Sequence, residues 1–307
     1  MRAVWSFWSK PFYAAKGRTW QTPLHHLLAW GLTVHLARKH YPDTVLVTDR
    51  AGKALLVDRL GLSFSHVSTE LEQLRAANTD FWALGKLAAY RLQDQPFVHL
   101  DTDVFLWTPL PASIEHAPIF AQCPENYHSI DQYYNPLAIE RAFADHHLEL
   151  PDEWQWSRSR WERHFRQENC GILGGTQVDF LRYYSQSALD LLLHPRYAPA
   201  WAEIPEKDGF NQIMEQFWLA ACHDFHRFAP NSPFRGLGIR YLFPSLDHAF
   251  HPGSAARAGF THLLGEAKRN PFVARRLEER VQREDAALYR QCVQLSQNPH
   301  SLAWSQN

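Results

Sequence analysis

Two carboxylates spaced one residue apart, Asp101 and Asp103, interrupt an apolar run over residues 96–107. The β-branched and aromatic residues on both sides are typical of a buried strand, and such strands in α/β sheets end at the edge where ligands bind. Residues two apart on an extended chain point to the same side, so both carboxylates can reach one divalent cation, which prefers oxygen ligands. Because neighbouring ionised carboxylates are costly without a cation, the pair predicts a metal site. An Asp-rich turn that leaves a sheet is the competing interpretation.

Three further polar residues lie on apolar elements that could bring them to the same place. Lys86 lies on the helix before the aspartate strand, Asn169 on a strand at 168–175, and Glu215 on a helix among large apolar side chains. The glycines of the 168–175 strand permit close approach of a ligand or a neighbouring element. Glu215 is either a site group, whose pKa such surroundings could raise, or part of a solvated stripe.

The elements that must position these residues alternate between strand and helix. Strands are predicted at 3–8, 44–48 and 63–68, ahead of the aspartate strand, with helices at 22–39, 51–60 and 81–92 between them and a loop at 9–21. Thr22 followed by Pro23 is a typical helix start. This order predicts an α/β fold with a doubly wound, mostly parallel sheet, helices on both faces and ligands at the strand carboxyl ends.

The remaining sequence is less regular. A short strand is predicted at 119–121, an irregular and partly helical insertion at 126–166, and helices at 178–193 and 209–221. A long terminal helix is predicted at 271–295, with an apolar stripe that includes Leu277, Val281 and Cys292. Packing of this stripe against the core is the favoured interpretation.

Composition excludes several classes of protein. The 307 residues are 45% hydrophobic and 14% aromatic, which is typical of a soluble globular protein with one large core or two fused halves. With 31 basic and 32 acidic residues, no overall positive field favours nucleic acid. The four cysteines form no Cys-x-x-Cys pair, and no apolar run approaches a transmembrane segment, so a cytoplasmic location is expected. Arginines clustered between residues 269 and 283 leave peripheral membrane contact open, although interspersed acids weaken it.

Two motifs resemble those of a known enzyme family. Residues 262–268, His-Leu-Leu-Gly-Glu-Ala-Lys, resemble the His-x-x-Gly-x-x-Lys motif near the C-terminal end of glycosyltransferase family eight. Asp101-Thr102-Asp103 resembles the Asp-x-Asp motif of the same superfamily, and residues 168–173 are similar to the strand that lines its sugar pocket. The resemblance implies the GT-A fold of nucleotide-diphospho-sugar transferases, here a divergent relative.

What the resemblance implies can be stated residue by residue. The expected ligands of Mn²⁺ (or Mg²⁺) are Asp101, Asp103 and His262. The residues expected to bind the nucleotide sugar, a UDP-sugar by default, are Lys86, Asp101, Gly265 and Lys268. The residues expected to act in catalysis are Asp103, Asn169 and Glu215. The expected organisation is one catalytic domain over 1–270, with a nucleotide-binding half at 1–110 and an acceptor or sugar half at 111–270, and a helical extension at 271–307.

The implied reaction is transfer of a hexose to an unknown glycan, lipid or protein acceptor with retention of configuration. A metal-bound diphosphate can assist the incoming hydroxyl in such a reaction, and Asn169 and Glu215 would then position the sugar. Glu215 could instead serve as the general base of an inverting enzyme.

Two other functions stay open at the level of sequence. The clusters at 222–226 and 247–251 contain His and Asp at metal-ligand spacings, and with Asp101 and Asp103 they could form a metal-dependent hydrolase. A nucleotide-sugar-binding protein that has lost its activity is the third possibility, because a fold does not establish an activity.

Overall fold

The computed structural model describes residues 1–16, 20, 22–128, 136–160 and 164–297. The strands are β1 (Arg2–Phe7), β2 (Thr44–Thr48), β3 (His66–Ser68), β4 (Phe97–Leu100), β5 (Val104–Leu106), β6 (Ile119–His128), β7 (His164–Gly175), β8 (Ile239–Tyr241) and β9 (Phe260–His262). The α-helices are α1 (Ser9–Tyr13), α2 (Pro23–Ala37), α3 (Arg50–Lys53), α4 (Leu84–Arg91), α5 (Ala112–Glu115), α6 (Pro136–Asp145), α7 (Asp152–Arg158), α8 (Val178–Leu193), α9 (Ala198–Glu203), α10 (Asp208–Gln212), α11 (Trp218–Phe228), α12 (Leu246–Phe250), α13 (Pro252–Ala258), α14 (Pro271–Glu284) and α15 (Ala286–Ser296). Shorter helical turns are π-helical at Ala54–Arg59 and Ile213–Phe217, and 3₁₀ at Glu70–Ala76, Pro195–Tyr197 and Gly265–Arg269.

Seven strands form the central sheet in the order β3-β2-β1-β4-β7-β6-β8. The pairs β1–β2, β1–β4, β2–β3 and β6–β8 are parallel, whereas β7 runs antiparallel to both β4 and β6. Strands β5 and β9 form a separate antiparallel pair. The first four strands of the sheet thus follow the 3-2-1-4 order of a doubly wound sheet, and the predicted mostly parallel α/β fold is confirmed.

Both faces of the sheet are covered by helices. Along β1, Val4 belongs to a core that includes residues of α4 and α8, whereas Ala3 and Trp5 belong to a second core with α2, α14 and α15. Alternation of neighbouring side chains between two cores is the pattern of a strand buried on both faces. Strand β1, which pairs with β4 in the sheet, is therefore buried on both faces.

Several predicted elements are confirmed at their predicted places. Helix α2 begins at Pro23, and the Thr22 side chain accepts a hydrogen bond from the His25 amide. The predicted 44–48 strand is β2, and the predicted 178–193 helix is α8. Within the described residues, no helix combines the length and the apolar character that crossing a membrane requires.

Other predictions were wrong in detail. The predicted loop at 9–21 contains α1, because Pro11 lies in the first turn, where its missing amide hydrogen does not interrupt helical bonding. The predicted helix at 209–221 starts at α10 and continues through a π-helical turn to the end of α11. The predicted insertion at 126–166 holds α6 and α7 between the ends of β6 and β7; residues 129–135 and 161–163 lie outside the described part.

The terminal helix was predicted to be continuous but is broken at Asp285. Its side chain accepts hydrogen bonds from the amides of Ala287 and Leu288, so it caps a new helix, α15. The predicted packing of the apolar stripe is confirmed, since Leu277, Val281 and Cys292 are buried in the core that contains α2. The domain boundaries remain predictions.

Candidate metal centre

A tight turn carries the two aspartates from the central sheet to the small one. Strand β4 ends at Leu100, the Asp101 amide donates to the Gly171 carbonyl at 3.0 Å, and the Val104 amide donates to the Asp101 carbonyl at 3.0 Å. The prediction that one extended strand holds both aspartates was wrong, because the chain turns between β4 and β5. The turn, rather than strand alternation, brings the carboxylates together.

The small sheet brings His262 to the same turn. Strand β9 pairs with β5 so that His262 lies opposite Val104, and the Leu263 amide donates to the Asp103 carbonyl at 3.0 Å. One side-chain ligand atom from each of Asp101, Asp103 and His262 lies within 4.8 Å of the others. In the described part of the chain, this is the only group of three acids, histidines or cysteines with such a geometry.

Gln122 on β6 fixes the orientation of the His262 ring. His262 Nδ1–H donates to Gln122 Oε1 at 2.7 Å, which leaves Nε2 with a lone pair 3.4 Å from Asp103 Oδ1. A Cβ atom at Gly171 would lie 2.4 Å from both His262 Nδ1 and Gln122 Oε1. Glycine at position 171 is therefore required for this contact, as the predicted close approach to a neighbouring element implies.

Lys268 compensates the charge of Asp103. The Lys268 ammonium forms an ion pair with Asp103 Oδ2, and Asp103 is only 6% exposed. Burial alone would raise the pKa of Asp103, but Lys268 and then His262 lower it well below its ordinary value. Asp103 is consequently a carboxylate, and an available ligand, throughout the neutral range.

Lys86 plays the corresponding part for Asp101. Its Nζ lies 2.9 Å from Asp101 Oδ1 and 2.6 Å from Glu215 Oε1, and Tyr90 donates to the same Glu215 oxygen at 2.8 Å. Burial raises the pKa values of both Asp101 and Glu215, with Lys86 opposing the increase. Burial alone would lower the pKa of Lys86, but the two carboxylates raise it, so Lys86 is a permanent cation between them.

His99, on β4, lies beside Asp101. Its Nε2 lies 3.0 Å from Ser6 Oγ, and its Nδ1, 3.9 Å from Asp101 Oδ1, has no hydrogen-bond partner among the described residues. Burial, and then the charge of Lys86, lowers the pKa of His99 well below its ordinary value. The ring is therefore neutral and adds no positive charge to that of Lys86 beside Asp101.

The donor set fits a divalent cation. Two carboxylates and an imidazole nitrogen converge, and the second nitrogen of that imidazole is bound to an amide oxygen, the arrangement that orients metal-ligating histidines. The carboxylates supply the oxygen ligands that hard divalent cations prefer, and a neutral imidazole binds divalent transition metals.

Asn169 and Gly265 are close in sequence to residues of this cluster or of its surroundings, and each has a structural role of its own. Asn169 donates from Nδ2 to Glu125 Oε1 at 2.5 Å and accepts the Gly171 amide on Oδ1 at 3.0 Å. Gly265 has a φ of +49°, which favours glycine, and turns the chain between His262 and Lys268. Contacts of either residue with a ligand remain predictions.

The His and Asp clusters behind the hydrolase interpretation do not form comparable sites in the described residues. His223 has an acceptor at each ring nitrogen, Asp224 Oδ1 at 2.9 Å and the Leu237 carbonyl at 3.0 Å, so neither nitrogen faces an open ligand position. His248 is an exposed residue of α12, and its Nδ1 lies 2.9 Å from Oγ of Ser245, the residue that caps this helix.

Sequence reasoning missed three residues that shape the site: Tyr90, His99 and Gln122. Each lies inside an apolar strand or helix and carries no motif of its own. The one usable signal was Gly171, since a glycine in a core strand indicates that another group approaches it closely.

Comparison with known proteins gives a family without an assigned function. The model of a "Family of unknown function (DUF6734)" matches residues 1–295. No curated protein matches the sequence. Among solved structures, the galactosyltransferase LgtC in complex with donor and acceptor sugar analogues is 13% identical, with coverage of 92% of this chain and 100% of that chain, at a TM-score of 0.37. That TM-score is too low for the likeness to bear on the site. By the extent of the family match, the chain belongs to the DUF6734 family.

Proposed function

We propose that this protein is a metal-dependent glycosyltransferase that moves a hexose from a nucleotide-diphosphate sugar to an acceptor. The observation that carries the proposal is the convergence of Asp101, Asp103 and His262 at the carboxyl end of β4, with Lys86 and Lys268 on the two carboxylates. In doubly wound sheets, this edge is where phosphorylated ligands bind. The expected donor is a UDP-sugar, and the expected cation is Mn²⁺ or Mg²⁺.

The proposed roles follow from the geometry. Asp101, Asp103 and Nε2 of His262 would hold the cation, which when bound supplies Lewis-acid stabilisation of a departing diphosphate. Gln122 accepts a hydrogen bond from Nδ1–H of His262, so the proton stays on Nδ1 and Nε2 is available to bind the cation. Lys268 provides a fixed positive charge toward the diphosphate, where charge develops as the bond to the sugar breaks.

Glu215 is better suited to positioning than to proton transfer. It is 1% exposed, and its carboxylate accepts from Tyr90 and Lys86, so it orients the Lys86 ammonium. It also lies in a π-helical turn, a local irregularity found often at functional sites. These contacts favour the retaining reaction, in which no protein carboxylate acts as an obligatory base.

Donor binding can be tested with a panel of nucleotides and nucleotide sugars in thermal unfolding, each with and without Mn²⁺. Saturation with UDP at about 100 times the dissociation constant should stabilise the protein by about 2.7 kcal/mol, and only when metal is present. Asp103→Asn should abolish this stabilisation, because it removes a carboxylate ligand and keeps the shape. Asp94→Asn is the matched control, since Asp94 is an exposed aspartate that pairs with Arg2 in the turn before β4.

The result that contradicts donor binding is metal-dependent stabilisation that survives in Asp103→Asn. Phosphoester hydrolysis without preference for nucleotide sugars would favour the hydrolase, and metal-dependent binding without turnover would favour an inactive binding protein.

The stereochemistry has a test of its own once an acceptor is found. We expect an α-linked product from an α-linked donor, read from NMR coupling constants, and we expect Glu215→Gln to retain some transfer. A β-linked product, together with loss of transfer but not of donor binding in Glu215→Gln, would make Glu215 the general base of an inverting enzyme.

A further inference from the structure

We propose that Lys268 couples metal binding to donor binding. In the donor-free protein its ammonium competes with the cation for Asp103, and it moves to the diphosphate of the donor once the cation is in place. The inference rests on the proposed function and adds that Lys268 and the cation compete for Asp103 before the donor binds.

The carboxylates of the site are already neutralised in the donor-free protein. Asp103 is paired with Lys268, and Asp101 is paired with Lys86 at 2.9 Å. These side chains are largely buried, so their charges are poorly screened by water. A divalent cation that enters alone must either displace the ammonium groups of Lys86 and Lys268 from the carboxylates or bind close to their positive charges. Either alternative lowers the affinity of the cation for the site.

The two lysines differ in the ion-pair partner that each one keeps after the cation has bound. Lys86 keeps a second carboxylate, Glu215 at 2.6 Å, and stays paired when Asp101 ligates a metal. For Lys268, Asp103 is the one ion-pair partner within the described part of the chain. Its displaced ammonium is left in a site where its side chain is 10% exposed, and an unpaired charge at such depth is unfavourable.

A diphosphate removes this penalty. Its oxygens can ligate the cation and accept the freed ammonium at the same time, so metal and donor bind better together than apart. Coupling between two ligands is reciprocal, so the cation and the diphosphate strengthen each other's binding by the same factor, and loss of Lys268 should lower that factor. The expected signs are opposite: the cation alone binds more tightly without Lys268, whereas the diphosphate binds less tightly.

Mn²⁺ affinity, measured from the electron paramagnetic resonance signal of free Mn²⁺ with and without UDP, tests the inference. Lys268→Gln removes the charge but keeps a hydrogen-bond donor for Asp103. It should bind Mn²⁺ alone about 5- to 150-fold more tightly than the unmodified protein, the usual span of coupling between sites. UDP should then tighten Mn²⁺ binding less than it does in the unmodified protein.

Arg269→Gln is the matched control. Arg269 is the adjacent cation, its side chain is 58% exposed, and it pairs with Glu266 rather than with the site. Its removal should leave the affinity for Mn²⁺ unchanged, which excludes a general effect of net charge. Lys268→Arg restores a cation at the same position and should return the affinity for Mn²⁺ alone to a low value, and it serves as the second variant if Lys268→Gln does not fold.

Unchanged or weaker binding of Mn²⁺ alone in Lys268→Gln would overturn the inference, as would equal tightening in Arg269→Gln. If Lys268→Gln does not fold, Lys268→Arg decides: Mn²⁺ binding tighter than in the unmodified protein would overturn the competition. The metal-only measurement involves no nucleotide, so it stands apart from the proposed function. Failure of the unmodified protein to bind UDP with Mn²⁺ would instead overturn the proposed function and, with it, the coupling.

Discussion

The described part of the chain contains two largely buried clusters with the same kinds of side chain, and one of them leaves a ligand face open. The metal-site cluster consists of Lys86, Asp101, Asp103, His262 and Lys268. The β7 cluster consists of Arg166, Glu168, His223, Asp224 and Tyr241. Each combines two carboxylates, at least one cation and a histidine, yet the chemistry they can support differs because of how the partners are arranged.

In the β7 cluster, the side chains that carry charge bind one another. Nε of Arg166 lies 3.0 Å from Glu168 Oε1, and its Nη2 lies 2.9 Å from Asp224 Oδ1. Both ring nitrogens of the adjacent His223 face acceptors. The cluster joins β7 to α11 and, through Tyr241, to β8. These bonds hold the antiparallel half of the sheet against a helix.

In the metal-site cluster, one nitrogen of His262 has a hydrogen bond of 2.7 Å to Gln122, and the other has only a longer contact, 3.4 Å to Asp103 Oδ1. Gln122 is a neutral acceptor at Nδ1 of His262, and Nε2 turns toward the carboxylates of Asp101 and Asp103. The comparison teaches that residue types alone do not define a metal site. What differs is whether one nitrogen of the histidine is held by a neutral acceptor while the other faces a pair of carboxylates.

The largest difference between the clusters should appear in stability. Glu168→Gln leaves Arg166 without its buried partner and should lower the free energy of unfolding by about 3 kcal/mol, the lower end of the range for a broken buried pair, because Arg166 keeps Asp224. Chemical denaturation measures this loss, and the Mn²⁺ affinity of the folded variant should not change.

Glu203→Gln is the control for that substitution, because Glu203 is an exposed residue of α9 whose side chain pairs with His146. It should change stability by less than about 1 kcal/mol, as exposed pairs do. A Glu168→Gln variant that folds stably but loses Mn²⁺ affinity would break the comparison, because it would place the β7 cluster in the metal site.

The part of the fold that could be predicted is the part governed by local pattern. Strand β2, helix α8 and the Thr22 cap follow from alternation, period and capping chemistry within a few residues. The break at Asp285 escaped prediction because an apolar stripe continues through it. Whether an aspartate caps a new helix there depends on packing against α2.

The convergence of the candidate site's residues was predictable, but the residues that support them were not. Asp101, Asp103 and His262 carry motifs, and the structure brings them together as expected. Gln122 and Tyr90 carry none, since their roles depend on pairing of β6 with β7 and on packing of α4, contacts between residues far apart in sequence. The turn at Asp101 was misread for the same reason, because β5 leaves the main sheet only to pair with β9.

Gln122 offers the finer test of the comparison. Gln122→Ala removes the acceptor that holds the Nδ1 proton of His262, so the ring loses its fixed orientation and Nε2 its constant direction toward the carboxylates. We expect Mn²⁺ affinity to fall by about 10- to 100-fold, the usual cost of removing such a partner of a metal ligand. Titration of the folded protein with Mn²⁺ in the presence of UDP measures it.

Two variants decide whether the loss arises from the ligand or from packing. Gln122→Glu keeps an acceptor oxygen for Nδ1 and should retain most of the Mn²⁺ affinity, because carboxylate partners orient metal-bound imidazoles as amides do. Gln167→Ala removes an equally buried amide from the neighbouring strand β7 and should leave Mn²⁺ affinity unchanged, whatever it does to stability. Equal losses in Gln122→Ala and Gln167→Ala would mean that packing of the sheet sets the affinity. Unchanged affinity in Gln122→Ala would mean that His262 does not bind the cation through Nε2, and the distinction drawn between His262 and His223 would lose its basis.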